Sequence, residues 1–583
     1  MKKPRAVVLA ITIVVVALLA WPAVAQADTT DLVSVSSGGT QGDDDSWDPS
    51  ISADGSIVAF TSEATNLAPV DANGEDSDVF VRDLGTGSTA LVSVASDGTQ
   101  GDGGSSEPSI NADGSIVAFE SYAGNLVPEE LGGFWNDGEY QYYSNIYVRY
   151  LLTGVTVLVS ETWDDSLIDG NCNSPSISAD GSTVAFASNA TNLVDGDSNG
   201  EWDIFVRYLT GELVGTTELV SVSSDEAQAD GDSFSPSINA DGSIVAFDSY
   251  AANLVDGDDN SSEDVFVRYL ETGTTELVSV SGGGIQGDAM SADPSINADG
   301  SIVAFTSLAT NLVEGNATLG ADVFVHNLQS GTTELVSVSS EGAEGDGPSM
   351  EASINADGTI VAFKSYAANL VHGDTNDCGD VFVHNLLTGT TRLLSVGWDG
   401  SPGNDDSEEP SINADGSIVA FYSDATNLVQ GDANDYIDVF VTAPSPKPAS
   451  GYPNRYEQTD SHILYSGSWE TDENKAHSGG SNYHSNDPQA TITITFKGTR
   501  LDWIAALGPL MGKALISIDG GEPVLVDLFS DTDLFQQLVW STGDLEYGVH
   551  VIKITFPTDG GEVKPINMDA LDIWGVLLET TQT

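Results

Sequence analysis

The chain alternates short apolar stretches with turn residues, and the whole pattern returns at a long period. The segment Pro49-Ser-Ile-Ser-Ala-Asp-Gly-Ser-Ile-Val-Ala-Phe60 recurs almost verbatim from Pro108, Pro175, Pro236, Pro294, Ala352 and Pro410. That makes seven copies at steps of 59, 67, 61, 58, 58 and 58 residues. Each is followed by a stretch like Asp264-Val-Phe-Val267 and then one like Glu276-Leu-Val-Ser-Val-Ser281. β-Branched and aromatic residues alternating with small polar ones read as short strands. Four strands emerge per unit: a short inner one at Pro-Ser-Ile, then Ser-Ile-Val-Ala-Phe, Asp-Val-Phe-Val and Leu-Val-Ser-Val. Seven four-stranded units arranged about an axis describe a β-propeller. Leu32-Val-Ser-Val35 precedes the first unit, and Asp438-Val-Phe-Val441 ends the last one without a fourth strand of its own. Pairing these two ends would close the ring and remove an open edge.

After residue 442 the pattern changes. Ala443 to Gly451 is a linker with prolines at 444, 446 and 448, a composition that favours an extended spacer. Residues 452–583 lack the 58-residue period and carry other strand-like runs: Thr491–Phe496, Ala514–Ile518, Val524–Leu528 and His550–Phe556. Eight or so strands in this length suit a jelly-roll β-sandwich. The expected class is all-β: a seven-bladed β-propeller over residues 28–442, the linker, then a sandwich over 452–583. Residues 1–27 read as a signal peptide. Lys2, Lys3 and Arg5 precede an apolar run to Trp21, and Ala25-Gln26-Ala27 is a small-residue cleavage site. Secretion follows, with no integral membrane span after cleavage.

Two resemblances sharpen this reading. The Ser/Asn-Ala-Asp-Gly-Ser-x-Val-Ala-Phe hairpin, followed by Asp-Val-Phe-Val and a Thr-Gly turn, resembles the TolB-type (WD-like) propeller repeat of bacteria over residues 30–442. No α/β domain precedes the repeats as it does in TolB proper. The C-terminal pattern Ser466-Gly-Ser-Trp469, Gly498-Thr499, Asp502-Trp503, Gly508-Pro509, Ile518-Asp519-Gly520 and Asp569–Ile573 is similar to galactose-binding-like modules. That likeness implies a carbohydrate-binding type of fold.

Charge narrows the partners. The chain holds 89 Asp+Glu against 17 Lys+Arg, a net charge of −72. Such a surface repels phosphates, which excludes nucleic acid and anionic membrane faces as partners. The acidic loops between the second and third strands, and between units, fall on one face. The tight Asp-Gly and Thr-Gly turns fall on the other. Cys172 and Cys378 stand at non-equivalent repeat positions and do not form a disulfide framework.

Candidate sites follow from departures from the repeat and from oxygen spacing. The 67-residue step carries an aromatic insert with Phe134, Trp135, Tyr140, Tyr142 and Tyr143, side chains suited to a sugar ring or a partner protein. In the sandwich, Trp469, Tyr483 and Trp540 lie near turns and are stacking candidates, whereas Trp503 and Trp574 read as core. Asp197, Asn199, Glu201 and Asp203 offer oxygens at alternate positions of one loop, and Asp71, Asn73, Glu75 and Asp78 nearly repeat that set. Such spacing can converge on calcium. Partial copies stand at Asp258/Asn260/Asp264, Asp374/Asn376/Asp380 and Asp432/Asn434/Asp438, while Asn316 and Thr318 depart from the pattern.

Catalytic motifs are absent: no Gly-x-Ser-x-Gly, His-Glu-x-x-His or P-loop pattern occurs. Arg82, Arg149, Arg207 and Arg268, with His326 and His384, share one repeat position and so read as scaffold. The expected role is a secreted, non-enzymatic binding protein for carbohydrate. A propeller hydrolase or lyase acting on polysaccharide is the alternative, and a scaffold for surface proteins a third reading. Converging non-repeat residues in the ring centre would favour the enzyme; a uniform lining would favour the scaffold.

Overall fold

A computed structural model describes residues 29–443 and 454–578, apart from short gaps within each range. The signal peptide expected over residues 1–27 and most of the linker lie outside the described residues. The chain divides into two compact units, one spanning Ala27–Ser445 and the other beginning at Pro446. Among the described residues no helix is long and apolar enough to cross a membrane.

The repeats build seven four-stranded antiparallel sheets, the blades of a β-propeller. Blade 1 runs Ser46–Ile51, Ile57–Ser62, Asp78–Asp83 and Ser88–Leu91, from the inside outward. The second and third strands are almost wholly buried because both their faces meet neighbouring blades. Phe60 and Phe80 stand directly opposite in register, rings 5.8 Å apart, and the equivalent pairs recur in every blade. The first turn needs its glycine twice over. Gly55 sits at φ 73°, and an added Cβ would come within 2.5 Å of Ile418 in the adjacent blade. Asp54 fixes the same turn by accepting a bond from the Ser56 amide at 2.9 Å.

Two cyclic hydrogen-bond chains tie the blades around the axis. Ala53 donates its N–H to the carbonyl of Ala112, and the pattern passes through Ala179, Ala240, Ala298, Ala356 and Ala414 back to Ala53 at 3.0–3.1 Å. One layer above, each inner-strand isoleucine N–H donates to a serine hydroxyl of the preceding blade, as Ile51 does to Ser411 and Ile110 to Ser50. Thr29–Leu32 supplies the outer strand of the last sheet, pairing antiparallel with Asp438–Ala443.

Two strand positions differ from expectation. The outer strand of blade 4 is Thr274–Leu277, where Glu276–Ser281 was expected. The chain turns sharply beyond it, with the Val280 N–H bonded to the Val278 carbonyl, because Ser279 gives its hydroxyl to Asp264 at 2.6 Å. The inner strands are also longer than Pro-Ser-Ile, running six residues through a bulge.

The second unit holds an eight-stranded and a three-stranded antiparallel sheet. Its spine is the long strand Thr491–Leu507, paired to Gly548–Thr555 along one stretch and to Leu534–Ser541 along another. Ile492, Ile494, Trp503, Ile516, Ile552, Ile554 and Met568 share one buried core.

Candidate functional site

The loop sites expected to hold calcium are organised around a residue the spacing did not include. In blade 3, Gln228 donates its amide to Asp197 Oδ1 at 2.7 Å and to Asp203 Oδ2 at 2.9 Å. Asn199 adds a bond to Asp203 at 2.8 Å, and the Ser221 hydroxyl one at 2.5 Å. Asp197, Asn199 and Asp203 therefore come together, but exposed Glu201 faces Asp232 and not this node. Blade 1 repeats the design, with Gln100 bonded to Asp71 at 3.0 Å and to Asp78 at 2.6 Å; Glu75 lies outside the described residues. Burial pushes Asp78 and Asp203 up to about 6, against the hydrogen bonds that pull them down. The Gln in Thr-Gln-Gly-Asp, at 41 and 100, and its equivalents at 228 and 286 were the sequence signal. Among the described residues, only Cys378, Asp405 and Asp406 place three metal-ligand atoms within 4.8 Å of one another. Asp406 there already accepts a bond from the Gly379 N–H.

The aromatic insert is a two-stranded hairpin, Gly133–Asn136 against Glu139–Tyr142. Phe134 is 44% exposed and lies 5.5 Å from the Tyr143 ring. Tyr142 packs back over Gly124, where a Cβ would strike its ring. The side chains of Trp135 and Tyr140 lie outside the described residues. In the second unit, Tyr465 gathers Trp469 and Tyr483, with ring centres 5.1 and 5.2 Å away. Trp469 and Trp540 both lean on the core, and Trp503 is fully buried.

What the spacing missed lies on the axis. Each inner strand bulges at one residue held at positive φ: Asp48, Glu107, Ser174, Ser235, Asp293, Glu351 and Glu409, with φ between 46° and 57°. A non-glycine residue in this region costs about 1–2 kcal/mol, repeated here around the whole ring. The bulge frees an N–H, and in blades 3, 5 and 7 the preceding blade answers with a carboxylate. Ser174 donates to Glu107 at 2.6 Å, Asp293 to Asp248 at 3.0 Å and Glu409 to Glu351 at 2.9 Å. The second strand adds Glu120, Asp248 and Lys364 at equivalent positions, all buried. Lys364 Nζ lies 2.7 Å from Glu408 and 3.6 Å from Glu351. Burial opposes its charge, but those carboxylates prevail and raise its pKa.

Elsewhere the ring has too little positive charge. Burial, the like charge of Asp48 and a hydrogen bond with it push Glu409 up to about 9. Burial and Glu107 raise Glu120 to about 8; burial with Glu263 and Asp293 does the same to Asp248. Glu409, Glu120 and Asp248 thus hold protons well above the usual carboxylate range, so each can donate to a neighbouring carboxyl that accepts. Glu409 and Asp48 share such a hydrogen bond. The sequence did carry a signal. In copies otherwise near-verbatim, the residue before Pro-Ser-Ile changes from blade to blade.

Comparison with known proteins gives fold likeness and little beyond it. No family model matches the chain. Two curated proteins of Flavonifractor plautii are 28% identical over short segments. One is an A type blood N-acetyl-alpha-D-galactosamine deacetylase, matched over 98 residues, 17% of this chain and 13% of that protein. The other is an A type blood alpha-D-galactosamine galactosaminidase, matched over 156 residues, 24% of this chain and 14% of that protein. The chain thus spans about a seventh of the length of these relatives. Solved structures similar to it include a TolB from Agrobacterium tumefaciens, at 14% identity over 61% of this chain and 94% of that one, TM-score 0.33. An oligogalacturonate lyase in complex with manganese matches at 14% identity over 72% and 97%, TM-score 0.42. The β-propeller domain of the Trilobed protease from Pyrococcus furiosus matches at 12% over 69% and 94%, TM-score 0.41. The neighbours are TolB-like and other β-propeller proteins, covering about two thirds of this chain.

Proposed function

We propose that this chain is a secreted carbohydrate-binding protein: a closed seven-bladed propeller that takes its ligand at the channel mouth, joined to a galactose-binding-like sandwich. One observation carries the reading. Blades that agree in core, turns and outer strands diverge where the inner strands face the axis, and they diverge into chemistry. Carboxyls from several blades stand there with Lys364 and the half-buried rings of Trp47 and Tyr422, which bond to Asp48 and Glu408. Carboxylates accept bonds from sugar hydroxyls, and aromatic rings stack on the apolar face of a sugar. The surplus of negative groups favours a sugar bearing a protonated amine, and the two relatives named for galactosamine chemistry are in keeping with that choice. The test is a glycan array probed with the mature chain, pairing free-amine and N-acetylated forms of each glycan. Preference for the free amine, lost in Asp293→Asn, supports the reading; indifference to the amine refutes it.

A second reading, cleavage of the bound glycan, is favoured by the Asp48–Glu409 pair. Two carboxyls from neighbouring blades that share a proton can serve in turn as general base toward a water and general acid toward a leaving group. Under that reading Glu409→Gln abolishes release of reducing ends while leaving binding intact.

A further inference from the structure

Blades 3 and 7 depart from the repeat at a second place, on the outer rim. The residue that follows the fourth strand by a few positions is serine at four of the seven positions, Ser37, Ser96, Ser224 and Ser340, and glycine at Gly282. Each serine staples the outer strand of the next sheet. The Ser96 hydroxyl accepts from the Thr156 N–H at 3.0 Å and donates to its carbonyl at 3.3 Å. Ser37 does the same with Thr89, Ser224 with Thr275 and Ser340 with Thr391. Trp163 and Trp398 occupy this position ahead of blades 3 and 7. Both are held alike, by a backbone N–H bonded to Asn192 at 3.3 Å and to Asn427 at 3.1 Å. Both rings stay in solvent, 57% and 58% exposed.

Trp398 lines a groove, and the same repeat positions of blade 3 line a second one whose wall does not include Trp163. At blade 7 a cavity of about 640 Å³ is lined by Trp398, Thr30, Asp31, Gln430 and Asp432. At blade 3 one of about 650 Å³ is lined by Asp195, Asp197, Thr217 and Glu218. Blade 6 keeps its serine and has a groove of about 740 Å³ beside Ser340 and Thr391. The groove therefore forms without either tryptophan. The tryptophans remove a staple and expose a large ring, which is unfavourable for folding alone. What they add is a flat apolar platform, which at Trp398 ends a groove rimmed with carboxylates and hydroxyls, the lining of a saccharide subsite.

We propose that the groove at Trp398 and the exposed rim position of Trp163 are two saccharide-binding subsites, separate from the channel, which make the propeller multivalent. The inference rests on the carbohydrate reading for its ligand class but uses none of the channel residues. Two sites on one rigid ring strengthen attachment to a polymer well beyond either alone, by raising the local concentration of the second contact.

The test uses Trp163→Ser and Trp398→Ser, singly and together, which restore the serine found at four of the seven positions. Melting temperature should hold or rise. The mature chain and its variants are then titrated with a soluble galactosamine tetramer and passed over the same glycan immobilised on a surface. The proposal expects stoichiometry to drop by one site for each substitution. Apparent affinity for the immobilised glycan should fall at least tenfold in the double variant. Unchanged stoichiometry in the double variant overturns the rim sites and leaves the channel reading standing. Loss of all binding in the double variant leaves the rim sites standing and refutes the channel. Absence of binding in the parent overturns both, and a sharp loss of melting temperature in either single variant means the ring is structural and overturns the proposal.

Discussion

Glu120 shows what burial does to a single carboxyl in this molecule. Its side chain is buried beside Glu107, with Ser144 and Tyr122 as hydrogen-bond partners, and titrates at about 8. In the unfolded chain the same group releases its proton near the usual 4.3. Between those two values the folded state holds a proton that the unfolded state has lost, so raising the pH through this window lowers stability. Asp248 and Glu409 act in the same direction, as do Asp78, Asp203, Asp264 and Asp438 near 6. The propeller should therefore melt highest in mildly acidic buffer and progressively lower from about pH 5 to pH 9. Glu120→Gln, which keeps the size and a donor, should flatten part of that slope and raise the melting temperature at pH 8. Thermal melts across the pH series check both, and a stability optimum at pH 8 would contradict the assignment.

Elements were legible where they repeat and obscure where side chains decide. Seven copies of one apolar pattern, with aspartate-glycine turns, specify strands and hairpins because period, propensity and turn chemistry agree. The fourth strand was misplaced because Val278-Ser279-Val280 alternates like a strand, while Ser279 is bound to Asp264 and turns the chain away. The loop nodes were half legible. Carboxylates at alternate positions were visible, but the glutamine that bridges them comes from a loop some 25 residues later, as Gln228 does for Asp203. Gln228→Ala leaves buried Asp203 facing Asp197 and should destabilise the propeller by about 1–3 kcal/mol. Chemical denaturation measures this, and a change below about 0.5 kcal/mol, the scatter of neutral surface substitutions, would show the bridge to be idle. The channel ring was hidden for another reason. It is made of single residues tens of positions apart that only the circular arrangement assembles, and conformations at positive φ leave no hydrophobic pattern to read.

At the scale of the whole molecule, ring closure and the axial site depend on each other. The last sheet is completed by Thr29–Leu32, and the alanine and serine cycles pass through every blade. Deleting residues 28–37 should lower the melting temperature far more than removal of a four-residue edge strand implies, because it opens an edge and lets the bulged strands part. A truncated chain that melts like the parent would contradict closure. The central claim is that the blade-to-blade differences on the axis mark the ligand site. Its most direct measurement is calorimetric titration of the mature chain with the galactosamine tetramer, set against a triple variant carrying Asp48→Asn, Asp293→Asn and Glu409→Gln. Because these changes keep side-chain size and replace carboxyls that burial disfavours in their charged form with neutral amides, the variant should melt no lower than the parent at neutral pH. The account predicts loss of the channel site, with affinity there falling at least a hundredfold; full retention of that binding in the folded variant would contradict it.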